Sequence, residues 1–108
     1  MIRKQKPGPL SAEQITRLLR KVPTWAVENG ELVKTFHFKN YYENIAFVNA
    51  TAWVSHHEDH HPDLEVGYNR CRVRYSTHDV GGLSAYDFVC AGKVEELAQA
   101  RPPESTPT

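Results

Sequence analysis

The segment 40–57 constrains this chain more than any other. It reads as one helix, with Asn40 and Glu43 placed to cap its start. Its apolar residues form no single stripe. Ile45, Val48 and Ala52 share one side, and Ala46, Ala50, Trp53, Phe47 and Val54 continue around most of the cylinder. Asn44, Thr51 and Ser55 leave one polar strip. A helix that is apolar nearly all round is buried on two sides. One sheet layer covers only one side, so the other is expected to meet a second subunit or a loop of the same chain. The 108 residues suffice for one domain, because two would each be too small to bury a useful core.

The flanking elements have clear signals. Ser11 and Gln14 have capping-box spacing, Leu10 can staple onto Ile15, and Ile15, Leu18, Leu19 and Val22 recur with helical period until Pro23. Two strands, 25–28 and 31–39, flank Asn29-Gly30, a turn whose two central positions need positive φ. Leu32, Phe36 and Phe38 lie on one face of the second strand, and Lys34 interrupts that face. A second hairpin follows Pro62-Asp63. Leu64, Val66 and Tyr68 alternate, as do Cys71, Val73 and Tyr75, around a turn at Asn69-Arg70; Arg70, Arg72 and Arg74 read as a solvated strand face. A loop over 77–82 leads to a third helix, with Ser84 as N-cap, Asp87 at the acidic first-turn position, and a Leu83–Phe88 staple. The expected class is α+β: a four-stranded antiparallel sheet with helices on one face, in the order α-β-β-α-β-β-α. The folded unit is expected over 10–100, between flexible tails at 1–9 and at the Pro-rich 101–108.

Composition narrows the function classes. Thirteen Lys plus Arg balance thirteen Asp plus Glu, so the chain lacks the basic excess that nucleic-acid or anionic-membrane binding needs. No apolar run reaches the roughly 20 residues that span a bilayer. The charged start has no apolar signal core, and Cys71 and Cys90 make no disulfide framework. A cytoplasmic location with reduced cysteines is expected.

Four of the six histidines fall in His56-His57-Glu58-Asp59-His60-His61-Pro62. A single histidine there would be an ordinary solvated helix end, and four ask for more. His56 and His60 could chelate a metal from one helix face, but the segment is not His-Glu-x-x-His and has no nearby Cys. Acid–base chemistry needs no metal, because imidazoles titrate near neutral pH. His78, beside Ser76, Thr77 and Asp79 at the end of the following hairpin, is the natural partner.

His56-x-x-x-His60-His61-Pro62, then Tyr68, Ser76-Thr77-His78-Asp79, Leu83-Ser84 and Asp87 together resemble the signature of the pterin-4a-carbinolamine dehydratases. The resemblance runs from about Leu10 to Ala98. It implies dehydration of a 4a-hydroxytetrahydropterin to the quinonoid dihydropterin, without metal or other cofactor. Phenylalanine hydroxylase would be the functional partner, since this reaction recycles the product of aromatic amino acid hydroxylases. It implies catalytic roles for His60, His61 and His78. Pterin contacts would come from Asp59, His60 and His61 and from Ser76, Thr77, His78 and Asp79. It also implies a homodimer or homotetramer, and no nucleic-acid or membrane partner. His56 stands where many members carry Glu, and Tyr86 replaces a basic residue common in animal members. Two other classes stay open: a dimerisation cofactor acting without catalysis, as animal relatives do for a transcription factor, and a His-rich metal-binding domain. From the residues alone, Asp87 reads as a helix first-turn group, Tyr68 as packing at a strand end, Trp53 as core or interface, and Trp25 as sheet packing.

Overall fold

The computed structural model describes residues 9–100; the expected C-terminal tail and all but the last residue of the expected N-terminal one lie outside that range. Its elements are α1 (Ala12–Leu19), β1 (Ala26–Glu28), β2 (Glu31–His37), α2 (Tyr41–Glu58), β3 (Asp63–Val66), β4 (Arg70–Tyr75) and α3 (Ala85–Gln99), with a single 3-10 turn at His78–Val80 before α3. The strands form one antiparallel sheet in the order β1-β2-β4-β3. This is the α+β arrangement expected. Because β4 lies between β2 and β3, α2 must cross from the middle of the sheet to its edge. That crossing leaves the end of α2 beside β3 and carries the histidine cluster to the rim of the sheet.

The local signals act as read. Ser11 and Gln14 form a reciprocal capping box, as do Ser84 and Asp87. Asn29 and Gly30 both have positive φ, 53° and 77°, which lets the β1–β2 turn follow the twist of its strands. The helices pack on the sheet face that carries Leu32, Phe36, Cys71, Val73 and Tyr75; Trp25 sits edge-on to Phe36 at 5.8 Å. The other face is a charged ladder. Arg72 bonds Glu28 at 2.9 Å, and Arg74 bonds Glu31 at 2.9 Å and meets Glu65 at 3.1 Å.

Lys34 does point to the apolar side, and α3 accommodates it. Its ammonium meets both oxygens of Glu95 at 2.8 and 3.0 Å, bonds Thr24 and lies 4.5 Å from the Phe36 ring centre. Trp25 Nε1 donates to the same carboxylate at 3.0 Å. Burial pushes the Glu95 carboxyl up, but the bonds from Lys34 and Trp25 and the Lys34 charge outweigh it, leaving a net downward shift.

The structure sharpens three of these readings. The polar strip of α2 faces inward: Asn44, Thr51 and Ser55 are buried with Phe47 and Val54. Asn44 Nδ2 donates to the carbonyls of Gly67 and Arg70 at 2.9 and 3.0 Å, which pins the start of α2 to the β3–β4 turn. Of the two places expected for Trp53, the core is ruled out and the interface stays open, since it is 65% exposed and stacks on His57 at 5.0 Å. Tyr68 is not in a strand, because β3 ends at Val66; its exposed ring stacks on Tyr41. Among the described residues no helix is long and apolar enough to cross a membrane.

Candidate functional site

The site grows from the C-terminal end of α2. Asp59 takes the left-handed conformation, φ 54° and ψ 43°, which Asp tolerates better than most residues because its short polar side chain can bond locally. The chain then doubles back, and His60 N–H bonds the Ser55 carbonyl at 3.1 Å, a Schellman-type ending. Pro62 cannot continue a helix, and β3 begins at Asp63. This corner turns the His60 side chain into the protein and leaves His56, His57 and His61 exposed.

The imidazole of His60 is only 5% exposed. Its Nε2 lies 2.6 Å from Oδ1 of Asp87, which is fully buried in the first turn of α3. The other Asp87 oxygen, Oδ2, accepts from the Thr77 hydroxyl at 2.8 Å and from the Ser84 amide at 2.9 Å. The Thr77 and Ser84 hydroxyls lie 2.8 Å apart. One carboxylate therefore ties together the α2–β3 corner, the segment after β4 and the cap of α3. The His60 ring also stacks on Tyr75 at 5.7 Å and meets Tyr86 at 5.0 Å. Burial holds the Tyr75 phenol well above its ordinary range, so it stays neutral.

Thr77 is enclosed on every side. Its amide donates to the Gly82 carbonyl at 2.9 Å and its own carbonyl accepts from Val80. That closed loop presents His78 and Asp79 at the surface, with Ser76 half-buried behind them. So the two segments singled out in the sequence converge: His61 is the immediate neighbour of His60, and His78 of Thr77, the two residues that Asp87 joins. His56 and His60 do not share a helix face, since His56 lies within α2 and His60 beyond its end. Among the described residues no three His, Cys, Asp or Glu side chains converge as metal ligands.

Sequence reasoning undervalued Asp87. It is the first-turn acid expected, but its cap uses only one oxygen, and the other reaches His60. The residual signal was the unspent oxygen of a capping carboxylate beside an unpartnered histidine cluster. Tyr75 and Tyr86 carried no such signal, because their contacts with His60 depend on how the α2–β3 corner folds over β4 and on how α3 docks against it.

Comparison with known proteins identifies the family. The family model described as pterin 4 alpha carbinolamine dehydratase matches residues 8–97. A protein of Nitrosospira multiformis, provisionally named a pterin-4-alpha-carbinolamine dehydratase, is 56% identical over 91 residues, 84% of this chain and 80% of its own. A relative of the same provisional name from Stenotrophomonas maltophilia is 53% identical over 102 residues, 93% and 88% of the two chains. Among solved structures, a transcriptional coactivator/pterin dehydratase from Brucella melitensis superposes with TM-score 0.81 at 26% identity, over 84% of this chain and 99% of that one. A pterin dehydratase-like protein identified as a RuBisCO assembly factor of the alpha-carboxysome shares the fold, with TM-score 0.59 at 23% identity over 71% and 89%. With the histidine corner, the Ser-Thr-His-Asp loop and the capping Asp87 in one matched stretch, the chain belongs to the pterin-4a-carbinolamine dehydratase family.

Proposed function

We propose that this protein dehydrates a 4a-hydroxytetrahydropterin to the quinonoid dihydropterin and water. The observation that carries the reading is the Asp87 carboxylate, which holds His60 on one oxygen and Thr77 on the other. That link supports a shared site for the His60-His61 corner and the Ser76–Asp79 loop.

The chemistry needs an acid and a base. The C4a hydroxyl leaves as water once an acid protonates it and the C–O bond breaks. A ring nitrogen gives its proton to a base as the C=N bond forms, so the net loss is one water. In this reading His60 is the base. Asp87 accepts from Nε2, which fixes the tautomer and leaves the Nδ1 lone pair for the substrate. The acid is one of the exposed imidazoles, His61 or His78. Asp59, Ser76 and Asp79 supply polar groups for the pterin ring. Thr77 supports the loop from beneath, because its hydroxyl, amide and carbonyl are spent internally.

The protein is proposed to work in the cytoplasm as a homodimer or homotetramer, with an aromatic amino acid hydroxylase, phenylalanine hydroxylase foremost, supplying its substrate. The assembly reading rests on the outward face of α2, where Trp53 is 65% exposed. That same face favours a second reading, a protein-interaction module acting without catalysis. Absorbance-monitored dehydration of a freshly generated carbinolamine separates the two: acceleration over the spontaneous rate supports the enzyme, and none rejects it.

A further inference from the structure

We infer that Tyr86 is a positioning residue for the His60 imidazole. The inference rests on the dehydratase reading for its kinetic arm, while its spectroscopic arm stands on geometry alone. Consecutive residues of the first turn of α3 grip the α2–β3 corner at two points. Asp87 takes His60 Nε2 at 2.6 Å. Tyr86 reaches past it, and its hydroxyl donates to the carbonyl of Glu58, the last residue of α2, at 2.6 Å.

That carbonyl is one of the helix-end groups that lack an intrahelical partner. Tyr86 thus fastens the end of α2 directly before the left-handed Asp59. Its ring also lies 5.0 Å from the His60 ring, tilted by 39°. Tyr75 stacks nearly parallel to the same imidazole, 7° off. The imidazole is therefore fixed by a carboxylate at one nitrogen and by two aromatic rings. Tyr75 belongs to the core of the sheet and is fully buried. Tyr86 is only half-buried, so it is the tyrosine that separates the imidazole from water.

The consequence is specific. Without the Tyr86 ring, His60 gains rotamer freedom and water reaches its bond to Asp87. The acid groups on the exposed histidines are untouched. Substrate affinity, set by other polar groups, should change little, while the reacting geometry loosens.

The test uses the full chain with Tyr86→Ala, Tyr86→Leu and Tyr86→Phe, each checked by circular dichroism and oligomer size. Proton NMR follows the imidazole proton between His60 and Asp87, which the 2.6 Å bond and its burial predict to be a low-field, slowly exchanging resonance in the wild type. In Tyr86→Ala this resonance should be lost to exchange, and kcat should fall about ten-fold with KM changed less than about two-fold. Tyr86→Phe keeps the ring over His60 and loses only the bond to the Glu58 carbonyl, so it should retain the resonance and recover most of kcat, the shortfall measuring that bond. Tyr86→Leu keeps bulk without an aromatic face and replaces the alanine variant if that one fails to fold. A folded alanine or leucine variant with the wild-type resonance and kcat overturns the inference, as does a loss confined to KM. If the wild type itself shows no turnover, the functional reading falls, and the resonance alone decides whether Tyr86 holds His60.

Discussion

His60 and Asp87 are 27 residues apart in sequence, and their side chains meet at 2.6 Å with both groups buried. The pair is at once a fold element and a candidate catalytic unit, because the same carboxylate caps α3 and orients an imidazole.

Its two duties can be separated by substitution. Asp87→Ala removes its half of the capping box and leaves the Thr77 hydroxyl, the Ser84 amide and His60 without their acceptor. Each buried donor left without an acceptor costs about 1–3 kcal/mol, a loss urea denaturation would detect. Asp87→Asn keeps the shape but no longer dictates the tautomer. It should cost less stability, yet lower kcat roughly 10²-fold. A stable Asp87→Ala protein, within about 1 kcal/mol of wild type, would contradict this account of the corner.

The Lys34–Glu95 ion pair, between β2 and α3, should make acid stability depend on Glu95. Its folded-state carboxyl is shifted below the ordinary Glu range, against its own burial, by the bonds from Lys34 and Trp25. A depressed carboxyl contributes stability above its unfolded value and loses it as pH falls through the folded one. Glu95→Gln should therefore be less stable than wild type at neutral pH, and the gap should close as pH drops below about 4. Parallel urea curves at pH 7 and pH 3.5 check this; a gap that stays constant would contradict it.

Much of the architecture was legible because its signals are local. The Ser11–Gln14 and Ser84–Asp87 boxes, the Asn29-Gly30 turn and the strand alternation each need only a few neighbouring residues. The inversion of α2 was not legible. Asn44 is buried because two carbonyls of a distant turn need a donor, and nothing in the segment 40–57 reports those carbonyls. Lys34 looked like a break in the core for the same reason, since Glu95 arrives from α3. The histidine motif located the site. The pairing of His60 with Asp87 and with Tyr86 depends on how α3 docks, and its stack on Tyr75 on how the α2–β3 corner folds over β4.

Exposure of Trp53 makes it the residue to test for assembly. Trp53→Glu should shift sedimentation toward a smaller species without unfolding the chain. Glu at Phe47 or Val54 would be a poor test, because both are buried within one subunit. Unchanged sedimentation of a folded Trp53→Glu protein would remove α2 as the assembly surface.

The cysteines should be unreactive in the folded state. Cys71 and Cys90 are fully buried, and burial pushes the Cys71 thiol up to about 11. A chromogenic disulfide reagent at pH 7.5 should label neither until denaturant is added. Rapid labelling in buffer would show that this part of the core opens.

The most direct test of the central claim compares carbinolamine dehydration by wild type with that of His61→Ala, His78→Ala and His57→Ala, each with wild-type circular dichroism and oligomer size. If one exposed imidazole is the acid, His61→Ala or His78→Ala should lower kcat by roughly 10²–10⁴. Binding of a dihydropterin analogue should weaken far less. His57→Ala, whose ring stacks on Trp53 away from the corner, should keep near-normal kcat, and EDTA should change none of these rates. A folded His57→Ala protein as impaired as the worse of the other two, or wild-type activity lost to EDTA and restored by zinc, would contradict histidine acid–base catalysis at this corner.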